Sequence, residues 1–196
     1  MDKKLKKVEK KIKDIEKDLE KTKELLEEAR AGTNSDPSPP QETFMVIPYF
    51  SHTVRIPQKD DESHIHIIGS FSIQNKGSLP LRSPHICLKL NTTDSSSFTG
   101  RISPVEMVDQ GYSPVPMQTW NYLNEDAQRL VDEKGEYWLA PLNVNELSGG
   151  TSLSFANFQV KVDRTEHKGP FKIEGFVYGK EIKEGLPALN KINLSL

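Results

Sequence analysis

Apolar side chains recur every three or four residues through the amino-terminal part of the chain. This alternation is the heptad pattern of a coiled coil, in which positions a and d are apolar. We name these positions the heptad seam, and its members are Leu5, Val8, Ile12, Ile15, Leu19, Thr22, Leu26 and Ala29. Only Thr22 breaks the apolar run. Residues 1–31 are therefore predicted to form a coiled-coil helix that joins copies of the chain.

Charges beside the heptad seam favour parallel helices. In a parallel assembly, a residue at position g faces the e residue five positions later on the partner helix. The resulting pairs are all attractive: Lys4 with Glu9, Lys11 with Glu16, and Asp18 with Lys23. Val or Ile at position d shifts the preference toward three or four chains, so a trimer or tetramer is expected ahead of a dimer. The alternative is a helix folded back onto its own domain.

A proline-rich segment follows the helix. Gly32 is placed to end the helix, and Pro37, Pro39 and Pro40 cannot continue it. Residues 32–42 are therefore predicted to be a partly stiff linker between the helix and the rest of the chain.

After the linker the hydrophobic period changes to two. Between residues 65 and 73, Ile65, Ile67, Phe71 and Ile73 alternate with polar residues, and Ile68 is the exception. Similar short strands are predicted at residues 43–47, 53–56, 86–90, 98–102, 137–139, 153–162, 171–178 and 191–196. The fold class is therefore mainly β with an N-terminal α-helix. Residues 43–196 are predicted to form an antiparallel β-sandwich, with an immunoglobulin-like arrangement as one candidate, after a parallel coiled-coil stalk.

Two local features interrupt this strand pattern. The apolar parity changes between Phe155 and Phe158, which predicts a β-bulge near Ala156 and Asn157. A short helix is predicted between Asn124, as its N-cap, and Gly135, as its end, and it is expected to connect two sheets.

Composition limits the classes of function. The 196-residue chain has a formal net charge of -2 and an isoelectric point near 6.2, which argues against a nucleic-acid partner. No apolar run approaches the roughly 18 residues of a membrane span, and the amino terminus lacks the apolar core of a signal peptide. A single cysteine, Cys87, suits a reducing compartment. These features predict a soluble cytoplasmic protein with no membrane span.

Candidate reactive residues are few. His64 and His66 share one face of a strand, a spacing that supplies two metal ligands, but a usual zinc site needs a third ligand. The candidates for it are His52, His85, Asp60, Asp61 and Glu62. Cys87 is more simply explained as a small apolar side chain than as a nucleophile. No catalytic residue, metal ligand or cofactor is therefore assigned.

The segment 103–123 combines prolines with many apolar and aromatic residues. Such a segment either covers a core or presents a binding surface, because aromatic side chains are enriched where proteins recognise partners. Tyr112, Trp120 and Tyr122 are the candidate partner-binding residues.

Two functions are the main hypotheses from the sequence, and a third, weaker one has the Lys-rich start of the helix docking on nucleic acid or anionic lipid. The favoured hypothesis is a non-enzymatic structural or binding module that is oligomerised by its helix and recognises another protein or a surface glycan. Joining several weak sites raises apparent affinity by about 10²–10⁴ when the target is repetitive. The alternative is an enzyme or metal-binding protein with a histidine-containing site in or between the β-sandwiches, which would require several histidines to converge.

Overall fold

A computed structural model describes residues 2–32, 42–57, 64–103, 118–167 and 169–195, with the side chains of residues 10–27 in the first helix. The chain divides into two compact units, Met1–Gln41 and Glu42–Leu196. We refer to the second unit as the body. The predicted linker at residues 32–42 lies, apart from its two end residues, outside the described part of the chain.

Two helices and thirteen strands follow one another along the described ranges. In chain order they are α1 (Asp2–Gly32), β1 (Val46–Arg55), β2 (His64–Asn75), β3 (Leu81–Arg82), β4 (His85–Leu90), β5 (Ser96–Thr99), β6 (Ile102–Ser103), β7 (Trp120–Tyr122), α2 (Ala127–Lys134), β8 (Glu136–Pro141), β9 (Glu146–Leu147), β10 (Ser152–Asp163), β11 (Phe171–Tyr178), β12 (Leu186–Pro187) and β13 (Ile192–Leu194). The prediction of a mainly β chain with an N-terminal helix is confirmed.

The body contains a four-stranded antiparallel sheet in the order β1-β2-β10-β5. Strand β2 shows why the sequence folds this way, because Ile65, Ile67, Phe71 and Ile73 all point inward and are buried. Ile68, the exception in the sequence pattern, lies on the outward face and is 50% exposed. The alternation predicted for this strand is therefore confirmed.

The predicted bulge lies in β10. Its register against β2 shifts between Phe155 and Phe158, and Asn157 has a φ of 57°. Asparagine is among the residues that adopt this left-handed conformation at low cost. The bulge lets both phenylalanines point into the core despite their opposite parity.

A second sheet has the order β12-β11-β4-β8-β7-β6, with β13 also paired to β11. Within the described residues its pairings are antiparallel except for the short parallel pair β6 and β7. Strands β3 and β9 form a separate antiparallel pair. Strand β11 has the predicted bounds, because Phe171, Ile173 and Val177 give it a regular buried face.

Side chains from the two larger sheets meet in one hydrophobic core. The rings of Phe98 and Tyr137, from opposite sheets, have centroids 4.3 Å apart. Trp120 donates a hydrogen bond from Nε1 to the backbone oxygen of Ser154, at 3.3 Å. The sheets are thus joined by aromatic packing and by a hydrogen bond that satisfies the buried indole.

Three local predictions are wrong. The parts of segments 43–47 and 53–56 that are strand belong to the single strand β1, because Pro48 and Phe50 continue the buried face between them, and residues 43–45 and 56 lie outside it. The segment 98–102 is divided between β5 and β6, which belong to different sheets. The short helix begins at Ala127, with Asp126 rather than Asn124 at the N-cap position, and it connects β7 to β8 within one sheet.

Candidate functional site

The heptad seam of α1 is exposed wherever its side chains are described. Ile12, Ile15, Leu19 and Leu26 each expose half or more of their surface. Leu25, at position g, is exposed to a similar degree and widens the apolar stripe at its carboxyl end. A row of large exposed aliphatic side chains is a feature of helices that pack against another helix.

Thr22, the polar member of the heptad seam, is satisfied within its own helix. Its hydroxyl donates a hydrogen bond to the backbone oxygen of Asp18 at 2.6 Å. The hydroxyl therefore needs no partner from outside, and a polar residue is tolerated among Leu19 and Leu26. A shallow groove on the helix is lined by Leu19, Thr22, Lys23, Leu26 and Glu27. The side chains of Leu5, Val8 and Ala29 lie outside the described part.

The three predicted partner-binding residues have different positions. Trp120 is fully buried in the core, where its ring contacts Phe155 edge to face at a centroid distance of 5.5 Å. A side chain without exposed area offers nothing to a partner, so Trp120 is assigned to the core. Tyr122 is partly buried, and burial raises the pKa of its hydroxyl. Tyr112 lies outside the described residues, and recognition by the two tyrosines stays a prediction.

A different group of aromatic side chains lies on the outward face of the seven-stranded sheet. We name it the aromatic patch, and its members are His85, Trp138, Phe176 and Tyr178, each partly exposed. His85 and Tyr178 are opposed on β4 and β11 and are stacked, with centroids 5.4 Å apart and an interplanar angle of 13°. Trp138 on β8 reaches Tyr178 with centroids 4.9 Å apart. The rings therefore support one another across three strands.

Beside the aromatic patch runs a row of paired charges, which we name the charge ladder. It consists of Lys89, Glu136, Lys172, Glu174 and Lys191. Lys89 Nζ lies 2.9 Å from Glu136 Oε1, and Glu174 Oε1 is paired with both other lysines. Each ammonium group of the ladder thus has a carboxylate partner on the same face.

One residue joins the charge ladder to the aromatic patch. Glu136 Oε2 accepts a hydrogen bond from Trp138 Nε1 at 3.1 Å, while Oε1 accepts one from Lys89. Burial alone would raise the pKa of Glu136, but these two hydrogen bonds outweigh it and the pKa lies below the ordinary value. The hydrogen bond to Glu136 in turn raises the pKa of Lys89. The indole is therefore held in one orientation by an ionised carboxylate.

Cys87 lies under the aromatic patch, between Trp138 and Phe176 on the neighbouring strands. It is buried and free, and burial raises the pKa of its thiol to about 12. A thiol in this state is a poor nucleophile at neutral pH. Its small side chain leaves room for the large rings on both sides.

The histidines named as alternative ligands lie on different surfaces. His64 and His66 are on the outward face of the four-stranded sheet, where His64 Nε2 lies 3.7 Å from Asp163 Oδ2. His85 belongs to the other sheet, and His52 is exposed on β1. Outside the described residues are the three acidic candidates, Asp60, Asp61 and Glu62. Within the described ranges, no three His, Cys, Asp or Glu side chains are grouped to hold a metal ion.

A serine–histidine contact that the sequence did not suggest joins Ser95 and His167. Ser95 Oγ lies 3.1 Å from His167 Nδ1, but Nε2 of this ring is buried without a hydrogen-bond partner. In a hydrolytic triad the second nitrogen is oriented by a carboxylate. Ser95 is itself 9% exposed, so the pair is described best as part of the packing beside Phe171.

No protein-family model and no curated protein sequence matches this chain. Among solved structures, the chain is similar to a crystal structure of a candidate ApaA protein from Bordetella pertussis, with a TM-score of 0.37 and 11% sequence identity. The match covers 80% of this chain and 98% of that chain. A TM-score this low supports no inference about function. The helices in the described ranges include none long and apolar enough to cross a membrane.

Proposed function

We propose that the chain is a non-enzymatic binding module in which α1 assembles several copies as a parallel coiled coil and the body recognises a partner. The observation that carries this proposal is the exposed heptad seam. Ile12, Ile15 and Leu19 leave a continuous apolar stripe uncovered, and covering it with the same stripe of other copies removes it from water. The charge pairs predicted from the sequence give those helices a parallel orientation.

The body of this module is proposed to be an antiparallel β-sandwich. The contacts of Phe98 with Tyr137 and of Trp120 with Ser154, which join the two larger sheets, support this arrangement. An immunoglobulin-like strand order remains a prediction. Because each copy carries one aromatic patch, an assembly of several copies offers repeated sites to a repetitive target, which strengthens binding through effective concentration.

The described histidines favour this function over an enzyme or metal-binding protein. His64 and His66 belong to one sheet and His85 to the other, so they do not meet in one site. The Ser95–His167 contact lacks a carboxylate on the second nitrogen within the described residues. No cofactor is therefore part of the proposal.

Sedimentation equilibrium of the full chain tests the assembly. We expect the mass of three or four chains, and a monomer when Ile12→Asp and Leu19→Asp are combined, because charges in the seam cannot be buried. Ile68→Asp is the matched control: its isoleucine is also 50% exposed, but it lies on the body, so the assembly should persist. A monomeric wild-type chain would overturn the proposal.

The orientation of the helices is tested separately by disulfide trapping. A Leu26→Cys variant places a thiol in the seam near one end of the helix, so only parallel neighbours bring two such thiols together. The native Cys87 is buried and does not compete. Rapid cross-linking supports parallel helices, and its absence in an oligomeric chain would contradict them.

A further inference from the structure

We propose that the aromatic patch binds the ring of a neutral carbohydrate. This inference rests on the proposed recognition function and names the class of ligand for the body. The patch places the partly exposed rings of His85, Trp138 and Tyr178 together on one outward sheet face. Aromatic rings of this kind present apolar faces and edges, against which the C–H groups of a sugar ring can pack.

The charges around the patch indicate that the ligand is neutral. Lys89 is paired with Glu136, and Lys172 and Lys191 are both paired with Glu174. A charged ligand would have to compete with these existing pairs, whereas an uncharged one leaves them intact. A neutral hydroxylated molecule also uses the remaining lone pairs of the carboxylates and the remaining N–H groups of the lysines.

His85 indicates that the ligand supplies hydrogen-bond donors. Its Nδ1 lies 3.0 Å from the backbone oxygen of Ser83. A carbonyl oxygen only accepts, so Nδ1 donates to it, and Nε2 is an acceptor in the tautomer that carries its one proton on Nδ1. Nε2 forms no hydrogen bond with the described residues, and a ligand hydroxyl beside the rings can donate to it. The hydroxyl of Tyr178 likewise has no hydrogen-bond partner in the described part of the chain.

These acceptors distinguish a sugar from a proline-rich peptide. Proline-rich segments also dock on aromatic side chains, but their backbone offers carbonyl acceptors and few donors. A sugar ring combines an apolar face with hydroxyl groups that both donate and accept. The Nε2 acceptor of His85 is thus matched by a sugar hydroxyl and left unmatched by proline.

The ring positions are also fixed before any ligand binds. Trp138 is held by Glu136 through its Nε1, and Tyr178 lies close against Gly185, where an added Cβ would be 2.6 Å from the ring. A preorganised site loses little conformational entropy on binding. This is the condition under which a small contact area gives a specific, if weak, interaction.

Isothermal titration of the full chain with a panel of neutral oligosaccharides tests the proposal. The panel consists of short hexose, pentose and N-acetylhexosamine oligomers. We expect saturable binding of at least one of them at millimolar concentration or below. Trp138→Ala should weaken it about tenfold or more, because a buried aromatic contact dominates small interfaces. No binding by the whole panel would overturn the proposal.

Matched variants separate recognition from stability. Tyr178→Phe removes only a hydroxyl from the patch and should weaken binding several-fold. Tyr49→Phe removes a hydroxyl from the outward face of the other sheet and should leave binding unchanged. If Trp138→Ala does not fold, the affinities of Trp138→Phe and Tyr178→Phe for the sugar still test whether the aromatic patch is the binding site. Equal effects of Tyr49→Phe and Tyr178→Phe would contradict the site, and binding of a proline-rich peptide but no sugar would overturn the ligand class.

The same experiment distinguishes this inference from the proposed function. The Ile12→Asp and Leu19→Asp chain should bind a short oligosaccharide with the affinity of the wild type, because each body carries its own patch. Sugar binding by a wild-type chain that proves monomeric would support the ligand class and overturn the coiled coil. An oligomeric chain that binds no sugar would support the coiled coil and overturn the ligand class.

Discussion

The side-chain oxygen of Asn75 accepts a hydrogen bond from the backbone N–H of Gly77 at 3.1 Å. Its Nδ2 donates to the backbone oxygens of Leu79 and Leu147, at 2.8 and 3.0 Å. The residue is fully buried, and the N–H of Gly77 has a second acceptor in the backbone oxygen of Met45, at 3.2 Å. One amide thus fixes the turn after β2 and joins it to β9.

Asn75→Ala is therefore expected to destabilise the body. The change removes the side-chain donor of two backbone carbonyl groups and one of the two acceptors of the Gly77 N–H, which costs roughly 2–4 kcal/mol of unfolding free energy. Urea denaturation measures the loss. Gln74→Ala, which removes one hydrogen bond to Tyr49 on the outward face, is the control and should cost less than about 1 kcal/mol. Equal losses in the two variants would show that Asn75 has no special role.

Gly175 permits a close approach between the two larger sheets. A Cβ at this position would lie 2.3 Å from the ring of Phe71 and 2.7 Å from that of Phe50. Gly175→Ala is expected to cost about 1–3 kcal/mol through overpacking. In the Gly175→Ala, Phe71→Leu double variant the smaller side chain relieves the contact, so the two losses should be less than additive in urea denaturation. Additive losses would contradict the assigned contact.

The charge ladder makes stability depend on pH. Hydrogen bonds from Lys191 and Lys172 lower the pKa of Glu174, and the pKa of Glu136 is also lowered. In the unfolded chain the pKa of both carboxyls returns to about 4.3. Their contribution is therefore complete above that value and is lost as the pH falls through the lower folded pKa.

Replacement of the two carboxylates tests this dependence. The Glu136→Gln, Glu174→Gln double variant should be less stable than the wild type near pH 6, and the difference should shrink as the pH falls below about 4. Urea denaturation across this range measures it. Glu125→Gln, at an exposed position before α2, is the control. A difference that stays constant with pH would contradict the role of the ladder.

The thiol of Cys87 should be unreactive in the folded chain. Burial and a pKa of about 12 leave almost no thiolate at pH 8. We expect Ellman's reagent to label it orders of magnitude more slowly than in urea. A Ser51→Cys variant adds a thiol on an exposed strand position and should react at once with one equivalent. Two fast equivalents in that variant would show that Cys87 is accessible.

The parts of the structure that the sequence predicts correctly are those set by the local alternation of apolar and polar residues. Ile65, Ile67 and Ile73 define the buried face of β2 without reference to any other strand. The parity change from Phe155 to Phe158 similarly predicts the bulge. In each case, the residues that decide the structure lie within a few positions of one another.

The aromatic patch could not be found in this way, because its residues meet only through strand pairing. His85, Trp138 and Tyr178 come from three strands that are distant in sequence. Both faces of β8 carry mostly apolar residues, so the sequence pattern does not show that Trp138 points outward and Tyr137 inward. The burial of Trp120 is hidden from the local pattern for the same reason, since the opposing Phe155 lies far along the chain.

Thr22 is the polar residue of the heptad seam. Its hydroxyl is satisfied by Asp18, so only its methyl group is left for a neighbouring helix. Thr22→Ile adds apolar carbon atoms at position d and should stabilise the assembly by about 1 kcal/mol per chain. The melting temperature of the helical circular dichroism signal measures this, and it should rise with protein concentration because unfolding is linked to dissociation.

A neighbouring substitution provides the control. Lys21→Ile adds an isoleucine one residue away, outside the seam, where no helix is expected to cover it. If the helices form a coiled coil, the melting temperature should rise for Thr22→Ile and not for Lys21→Ile, since only positions a and d face the partner. The same rise for both variants would mean that isoleucine stabilises the single helix at either position. That result, or a melting temperature independent of protein concentration, would contradict a partner helix that covers position d.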